Sequence, residues 1–235
     1  MNFGVILAGG VGHRMGADKP KQFLHIGEKP IIVHTVEKFA LYRGFEKVIV
    51  LTPEEWIEYT KDVLEKYLGN MDNVVVIQGG AVRNETIMNA VRYIEENYSL
   101  DDAVIVTHDA VRPFVTYRII EENIAAATQF GACDTVIPAT DTIVQSDDGQ
   151  ALSSIPDRSK LYQGQTPQSF KAAELKATYE ALTDEEKEIL TDACKIYVIK
   201  GKPVHIVKGE PFNIKVTYPY DLTVAETLMK GGRDV

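Results

Sequence analysis

The 235-residue chain has two cysteines, five histidines and fewer cations than anions, with 25 Lys and Arg against 34 Asp and Glu. Each shortage excludes something. Cys133 falls in an apolar strand and Cys194 in a helical stretch, a placement that suits reduced, buried thiols and neither a disulfide nor a metal cage. The histidines supply no second cluster beside His108-Asp109, so a His-Asp metal hydrolase is set aside. A formal net charge of −9 disfavours nucleic acid as the main partner and repels an anionic substrate globally. Attraction then has to be local, which gives weight to basic residues grouped in loops. No stretch approaches the ~20 apolar residues of a spanning helix, and the first apolar run is short and lacks a cleavage-site pattern. A cytoplasmic protein with no membrane span is therefore expected. Without repeats or a low-complexity linker, residues 1–235 read as one domain.

What the chain does have begins at its first strand. Phe3 to Leu7 runs into Ala8-Gly9-Gly10-Val11-Gly12-His13-Arg14-Met15-Gly16, followed by Lys19-Pro20-Lys21-Gln22. Glycines permit the close backbone approach that turns successive N–H groups onto an anion, while Arg14, Lys19 and Lys21 add charge. A Walker loop would need Gly-Lys-Ser/Thr where Gly16-Ala17 stands, and a dinucleotide fingerprint would need glycine at Met15. The remaining pattern resembles the signature of sugar-nucleotide pyrophosphorylases. A plain glycine turn with solvated cations is the competing reading.

Val- and Ile-rich strand candidates recur at Gly4–Leu7, Lys47–Leu51, Val74–Ile77, Ala103–Thr107 and Thr135–Ile137, most of them alternating with helix-length segments. This βαβ pattern predicts an α/β, Rossmann-like fold with a predominantly parallel sheet flanked by helices. Thr52-Pro53-Glu54-Glu55 reads as an N-cap and capping box for a helix whose apolar stripe is Trp56, Tyr59, Val63 and Tyr67. Thr183-Asp184-Glu185-Glu186 repeats the device. From 138 to 170 the helical period disappears around an Asp147-Asp148-Gly149 turn, flanked by Ile143/Val144 and Leu152/Ile155. A segment this long is functional or disordered, and a two-stranded hairpin is unstable alone in water. It is expected to pack on its copy in a homodimer as a protruding β-arm; folding back on its own domain is the alternative.

Loops after parallel strands share one sheet edge, where ligands bind in open α/β folds. Gly79-Gly80-Ala81-Val82-Arg83-Asn84-Glu85-Thr86 follows the third strand and offers backbone and amide groups to a base, with Arg83 placed for phosphate or for an internal ion pair. Thr107-His108-Asp109-Ala110-Val111-Arg112-Pro113-Phe114 follows the fourth. Asp109 there is a natural Mg²⁺ ligand, since that ion takes one or two carboxylates plus phosphate oxygens; a helix cap or salt bridge is the plainer reading. Asn213-Ile214-Lys215-Val216-Thr217 reads as a short strand whose lysine needs a carboxylate or a phosphate, or else snorkels.

Taken in order, G-G-x-x-R-N-x-T, H-D-A-V-R-P-F, the D-T-I arm, Y-Q-G-Q-T-P-Q-S-F, L-T-D-A-C-K and N-I-K-V-T resemble one cytidylyltransferase family across essentially the whole chain. That family contains the methylerythritol-phosphate enzyme of isoprenoid synthesis and the ribitol-5-phosphate enzyme of teichoic-acid synthesis. Tyr162–Phe170 and Glu188–Ile196 are more similar to the ribitol-phosphate branch. Ala81 and Phe212 stand where the isoprenoid branch often has acids.

The resemblance implies transfer of a cytidylyl group from CTP to D-ribitol 5-phosphate, giving CDP-ribitol and pyrophosphate, with methylerythritol phosphate as the alternative acceptor. A nucleotide-binding protein without catalysis and a Rossmann-type dehydrogenase are the other rivals, the second opposed by the broken glycine fingerprint. The resemblance places Arg14 and Lys21 in the catalytic clamp and Mg²⁺ or another divalent cation at Asp109. CTP is implied to lie among Leu7, Ala8, Gly9, Gly10, Gly80, Ala81, Val82, Arg83, Asn84, Glu85, Thr86 and Ala110. Thr142, Arg158 and Lys215 are implied to bind the acceptor phosphate, the first two reaching across a homodimer. A reductase supplying ribitol phosphate is a further possible partner.

Overall fold

The computed structural model describes residues 1–10 and 19–231. Among these, seven strands form one sheet in the order β5-β4-β1-β6-β8-β7-β9. Its parallel half is β5 (Val74–Gln78), β4 (Lys47–Thr52), β1 (Asn2–Leu7) and β6 (Val104–Asp109). Beyond β6 lie β8 (Tyr162–Lys171), antiparallel to both neighbours, then β7 (Ala132–Pro138) and β9 (His205–Lys208). A two-stranded ribbon, β2 (His25–Ile26) and β3 (Lys29–Pro30), precedes α1.

The strand sequences explain the layers. Side chains alternate across a strand, so a strand covered on both faces is apolar nearly throughout. Ile6, Val48, Val50, Val104 and Val106 enter one core with α1 (Ile31–Ala40), α2 (Ile57–Leu68) and α4 (Tyr117–Phe130). Phe3, Val5, Ile49, Leu51 and Ile105 enter the other. There they meet α3 (Arg83–Asn97), α5 (Ala172–Glu180) and α7 (Cys194–Ile199). Short α6 (Asp184–Glu188) and C-terminal α8 (Pro219–Gly231) complete the described helices. Trp56, Tyr59, Val63 and Tyr67 pack on the first core. Cys133 and Cys194 are free and buried, and burial pushes the Cys133 thiol up to about 12.

Three local expectations change. Thr52 does not cap a helix: it is the last residue of β4, paired with Gln78, and its carbonyl accepts the Gly79 N–H. The ladder fixes its backbone as extended, Pro53 leads into a 3-10 turn at Glu54–Trp56, and no side chain caps α2. Thr183 and Glu186, free of any sheet, do form a reciprocal capping box. Residues 213–217 form no strand. They are tied by the Val216 N–H to the Val111 carbonyl and by Asn213 Nδ2 to the Thr166 carbonyl, at 3.0 and 2.9 Å. Finally, β8 starts at Tyr162 inside the sheet, so the segment outside it is 139–161 and not 138–170. Its hairpin is held by the Gln145–Ser154 bridge, with Gly149 at φ 71° in the turn.

Phe170, fully buried on β8, stacks on Tyr197 with ring centroids 5.4 Å apart. Phe170→Ala is expected to destabilise the protein by about 3–5 kcal/mol, because the emptied volume lies between two fixed layers. Denaturant unfolding with an unchanged slope checks this.

Candidate active site

At the carboxyl end of the parallel strands lies a cavity of about 430 Å³, within the range of small-ligand clefts. Leu7, Ala8, Gly9 and Gly10 form one wall, Gly80, Ala81, Val82, Arg83 and Thr86 a second, and Asp109, Ala110 and Lys215 the floor. Lys21 also lines it, as do Gln22, Val111 and Thr217. The structure therefore brings together most of the residues singled out from sequence. Asn84 and Glu85 do not line it: Asn84 is buried in α3, and Glu85 accepts the Ala81 N–H at 3.0 Å. Thr142 and Arg158 lie exposed on the arm, Arg158 donating to the Thr140 carbonyl at 2.8 Å. Arg14 lies outside the described residues.

The walls are shaped by local hydrogen bonds. Gln22, buried, donates to the Ala8 carbonyl at 2.7 Å and ties the first loop to the 3-10 turn that carries Lys21. Lys21 Nζ donates to the Val216 carbonyl at 3.1 Å. Gly80 donates to Thr86 Oγ1, whose hydroxyl donates to the Val82 carbonyl, both at 3.0 Å. A Cβ on Gly80 would stand 2.8 Å from the Glu85 carbonyl carbon, so only glycine fits this turn.

Asp109 is the one carboxylate among the described cavity-lining residues, and three cations surround it. Arg83 Nη1 bonds its Oδ1, Lys215 Nζ lies 2.9 Å from Oδ2, and Arg112 Nε lies 3.5 Å from Oδ2. Burial alone would raise the Asp109 pKa; Arg83, Lys215 and Arg112 overcome it and hold the carboxyl well below the usual range. The plainer reading of Asp109 as an ion-pair centre thus describes its geometry, and Arg83 makes the internal pair. Counting Lys21, four cations face one carboxylate, a local positive field in a chain of net charge −9.

Behind the carboxylate lies a network that sequence reading missed. The Asp109 N–H donates to Thr166 Oγ1 at 3.2 Å, the Thr166 hydroxyl to His108 Nδ1, and His108 Nε2 to the Arg112 carbonyl, both at 2.9 Å. A carbonyl only accepts, so the ring carries its proton on Nε2. Asn213, fully buried, receives Arg112 Nη1 at its carbonyl at 2.8 Å, which aligns the segment bearing Lys215. His108 and Thr166 sit on strands that nothing in the sequence pairs; an interior histidine inside an apolar strand was the only available signal.

A mostly parallel α/β sheet with a cation-lined cavity at its carboxyl edge is the architecture of a protein that binds phosphate-bearing ligands. A family model described as IspD, 2-C-methyl-D-erythritol 4-phosphate cytidylyltransferase, matches residues 3–231, and the chain belongs to that family. It is similar to the Thermus thermophilus 2-C-methyl-D-erythritol 4-phosphate cytidylyltransferase at 27% identity and TM-score 0.73, over 98% of this chain and 100% of that one. The Francisella tularensis enzyme of the same name matches at 25% identity and TM-score 0.80, over 96% and 98%. The Anaerococcus prevotii 4-diphosphocytidyl-2C-methyl-D-erythritol synthase, at 24% identity, TM-score 0.80 and coverage of 98% and 96%, shares the fold. Among the described residues no helix is long and apolar enough to cross a membrane.

His108 supplies a test of the network. Burial lowers its pKa from 6.5 to about 4, so it stays neutral where the unfolded chain takes up a proton. The unfolded state binds more protons between these values, and stability is lost as pH falls from 6.5 toward 4. His108→Asn removes this dependence. Its deficit relative to wild type should therefore shrink by about 3 kcal/mol over that window. Unfolding curves of both proteins at about pH 7 and pH 4 read it.

Proposed function

We propose that this protein transfers the cytidylyl group of CTP to D-ribitol 5-phosphate, forming CDP-ribitol and pyrophosphate, as a step toward a teichoic-acid-like cell-surface polymer. The observation that carries the transfer chemistry is the surplus of cations around Asp109 at one end of the cavity. Joining two phosphates requires anions to be brought together, and a phosphomonoester with a second pKa near ~6 is already largely dianionic at neutral pH. The protein needs no strong general base. It has to position the nucleophilic oxygen in line with the α-phosphorus and stabilise charge on the equatorial and leaving oxygens.

Lys21, with Arg14 near it in sequence, serves as the clamp on the triphosphate in this reading. Gly80, Ala81, Val82 and Thr86 face the nucleoside, Leu7–Gly10 and Ala110 the phosphates, and Lys215 the acceptor phosphate. Mg²⁺ or another divalent cation fits here only with substrate phosphates present, because Arg83, Arg112 and Lys215 already engage both Asp109 oxygens. Among the described residues no group of three or more His, Cys, Asp or Glu could cage an ion, so Asp109 would hold it together with substrate phosphate oxygens. When bound it neutralises phosphate charge.

Ribitol phosphate is favoured as acceptor by the likeness of Tyr162–Phe170 and Glu188–Ile196 to that branch, and by Ala81 and Phe212. The names of the solved relatives support methylerythritol phosphate as the second reading. Pyrophosphate release from CTP with each acceptor separates them: faster turnover of ribitol 5-phosphate is expected, and turnover confined to methylerythritol phosphate would reverse the assignment.

The arm carries Thr142 and Arg158 away from this cavity and exposes Val144, Leu152 and Ile155 at 49%, 61% and 63%. A homodimer in which each arm completes the neighbouring site accounts for both facts. Arg158→Ala and Lys21→Ala are each expected to be nearly inactive. Mixed by refolding, they should regain about a quarter of wild-type turnover, since half the random dimers are mixed and each has one intact site. No recovery from demonstrated heterodimers would assign the arm to its own subunit.

A further inference from the structure

One carboxylate outside the cavity lining has no part in the chemistry above. Asp134 lies on β7, partly buried, with a single oxygen accepting from Gln168 Nε2 at 3.1 Å. The cations that act on it, Arg83 and Arg112, are committed to Asp109 and reach it only through space. Burial pushes its carboxyl up to about 6; Asp192 adds to the push, while the Gln168 bond and the two arginines oppose it. Leaving a group in such a setting costs stability, and a hydrophobic residue in this row would avoid the cost.

The register places this carboxylate relative to the cavity. Thr107 on β6 pairs with Gln168 on β8, and Gln168 with Asp134 on β7, so the three form one row across the sheet. Asp109 is two residues past Thr107 and shares that face. Asp134 therefore stands two strands from the catalytic strand, roughly 10 Å away at ordinary strand spacing. A phosphate held by Lys215 can carry a five-carbon chain in that direction.

Among the described residues, two acceptors in this row have no donor. Gln168 is 3% exposed and its Oε1 has no partner. Asp134 Oδ2 faces Gly164, where a Cβ would stand 3.7 Å away. Gly164 is exposed and Asp134 partly so, which puts this end of the row at the protein surface. Asp134 and Asp192 would repel a second phosphate, so the pair calls for donors without charge. A molecule with an anion at one end and hydroxyl groups along the other meets both demands: its phosphate goes to the cations at Asp109, its O–H groups to the partly exposed Asp134.

We propose that Asp134, oriented by Gln168, reads the hydroxyl groups of the acceptor chain and sets the preference of the enzyme for a polyol phosphate. This inference rests on the polyol-phosphate transfer proposed above. It adds a specificity-determining residue outside the phosphate machinery, and it fixes the direction in which the acceptor lies along the sheet.

The test compares wild type, Asp134→Val and Asp134→Asn, with KM and kcat for CTP, ribitol 5-phosphate and methylerythritol 4-phosphate, and thermal melts as a folding check. Losing hydrogen bonds to a charged acceptor is expected to raise the KM for ribitol 5-phosphate about 10- to 100-fold in Asp134→Val. The KM for CTP should stay within about twofold, and the preference between acceptors should collapse, since discrimination comes from groups left unpaired by the wrong substrate. Asn keeps the volume and one acceptor atom, so Asp134→Asn should fall between the two; it carries the test alone if the valine variant does not fold. An unchanged acceptor KM, or equal losses with both acceptors and CTP, would overturn the proposal and mark Asp134 as structural. A wild type that prefers methylerythritol phosphate fails the ribitol reading before any variant is compared. Asp134 is then judged by the same criteria on that acceptor.

Discussion

The site depends on one buried carboxylate and the cations it gathers. Asp109 ends β6 and is paired by Arg83 from α3, Arg112 from the next loop and Lys215 from near the C-terminus. A desolvated carboxylate is tolerated only when paired, and removing a single partner leaves charge uncompensated. The arrangement therefore draws three separate segments to one edge of the sheet. It also leaves more positive charge than the carboxylate neutralises, and this surplus is what an anionic substrate meets.

That edge is held by hydrogen bonds, neutral ones apart from the charged Arg112 donor. Thr166 receives the Asp109 N–H and His108 holds the Arg112 carbonyl, while Asn213 bonds both the Thr166 carbonyl and Arg112. In a low-dielectric interior such bonds are strong when complete, and each member here restricts a residue that touches the cavity or its floor. Electrostatic stabilisation is effective when the groups are already in place before substrate arrives. The interior histidine serves this purpose because burial keeps it neutral.

The sheet changes direction at the same place. The parallel half ends at β6, and β8 enters antiparallel between β6 and β7. Between β7 and β8 the chain leaves the sheet as the 139–161 arm, then returns to supply Thr166 to β6 and Gln168 to the row beside it. A segment with exposed apolar side chains and a site-building strand are thus consecutive in sequence.

Much of this was legible in the residues. Alternating Val and Ile runs with helix-length spacers imply a covered parallel sheet, since few other arrangements bury both faces of such strands. The loops after the strands could be named as one edge because parallel topology forces them there, and most of their residues do line the cavity. The Thr183 capping box was readable because all its partners lie within four residues. Thr52 carries the same local pattern and does not cap, because strand pairing with Gln78 claims its backbone. Local sequence determined most of the strands and helices of the parallel half, the glycine turn at Gly80 and the reduced state of the thiols. Only the tertiary structure decided that Asp109 is an ion-pair centre, that 213–217 is a tied loop, and that Asp134 shares a row with Gln168. Those outcomes depend on strand register and on contacts between segments far apart in sequence, 106 residues between Asp109 and Lys215 and 195 between Lys21 and Val216, and short-range pattern carries no information about either.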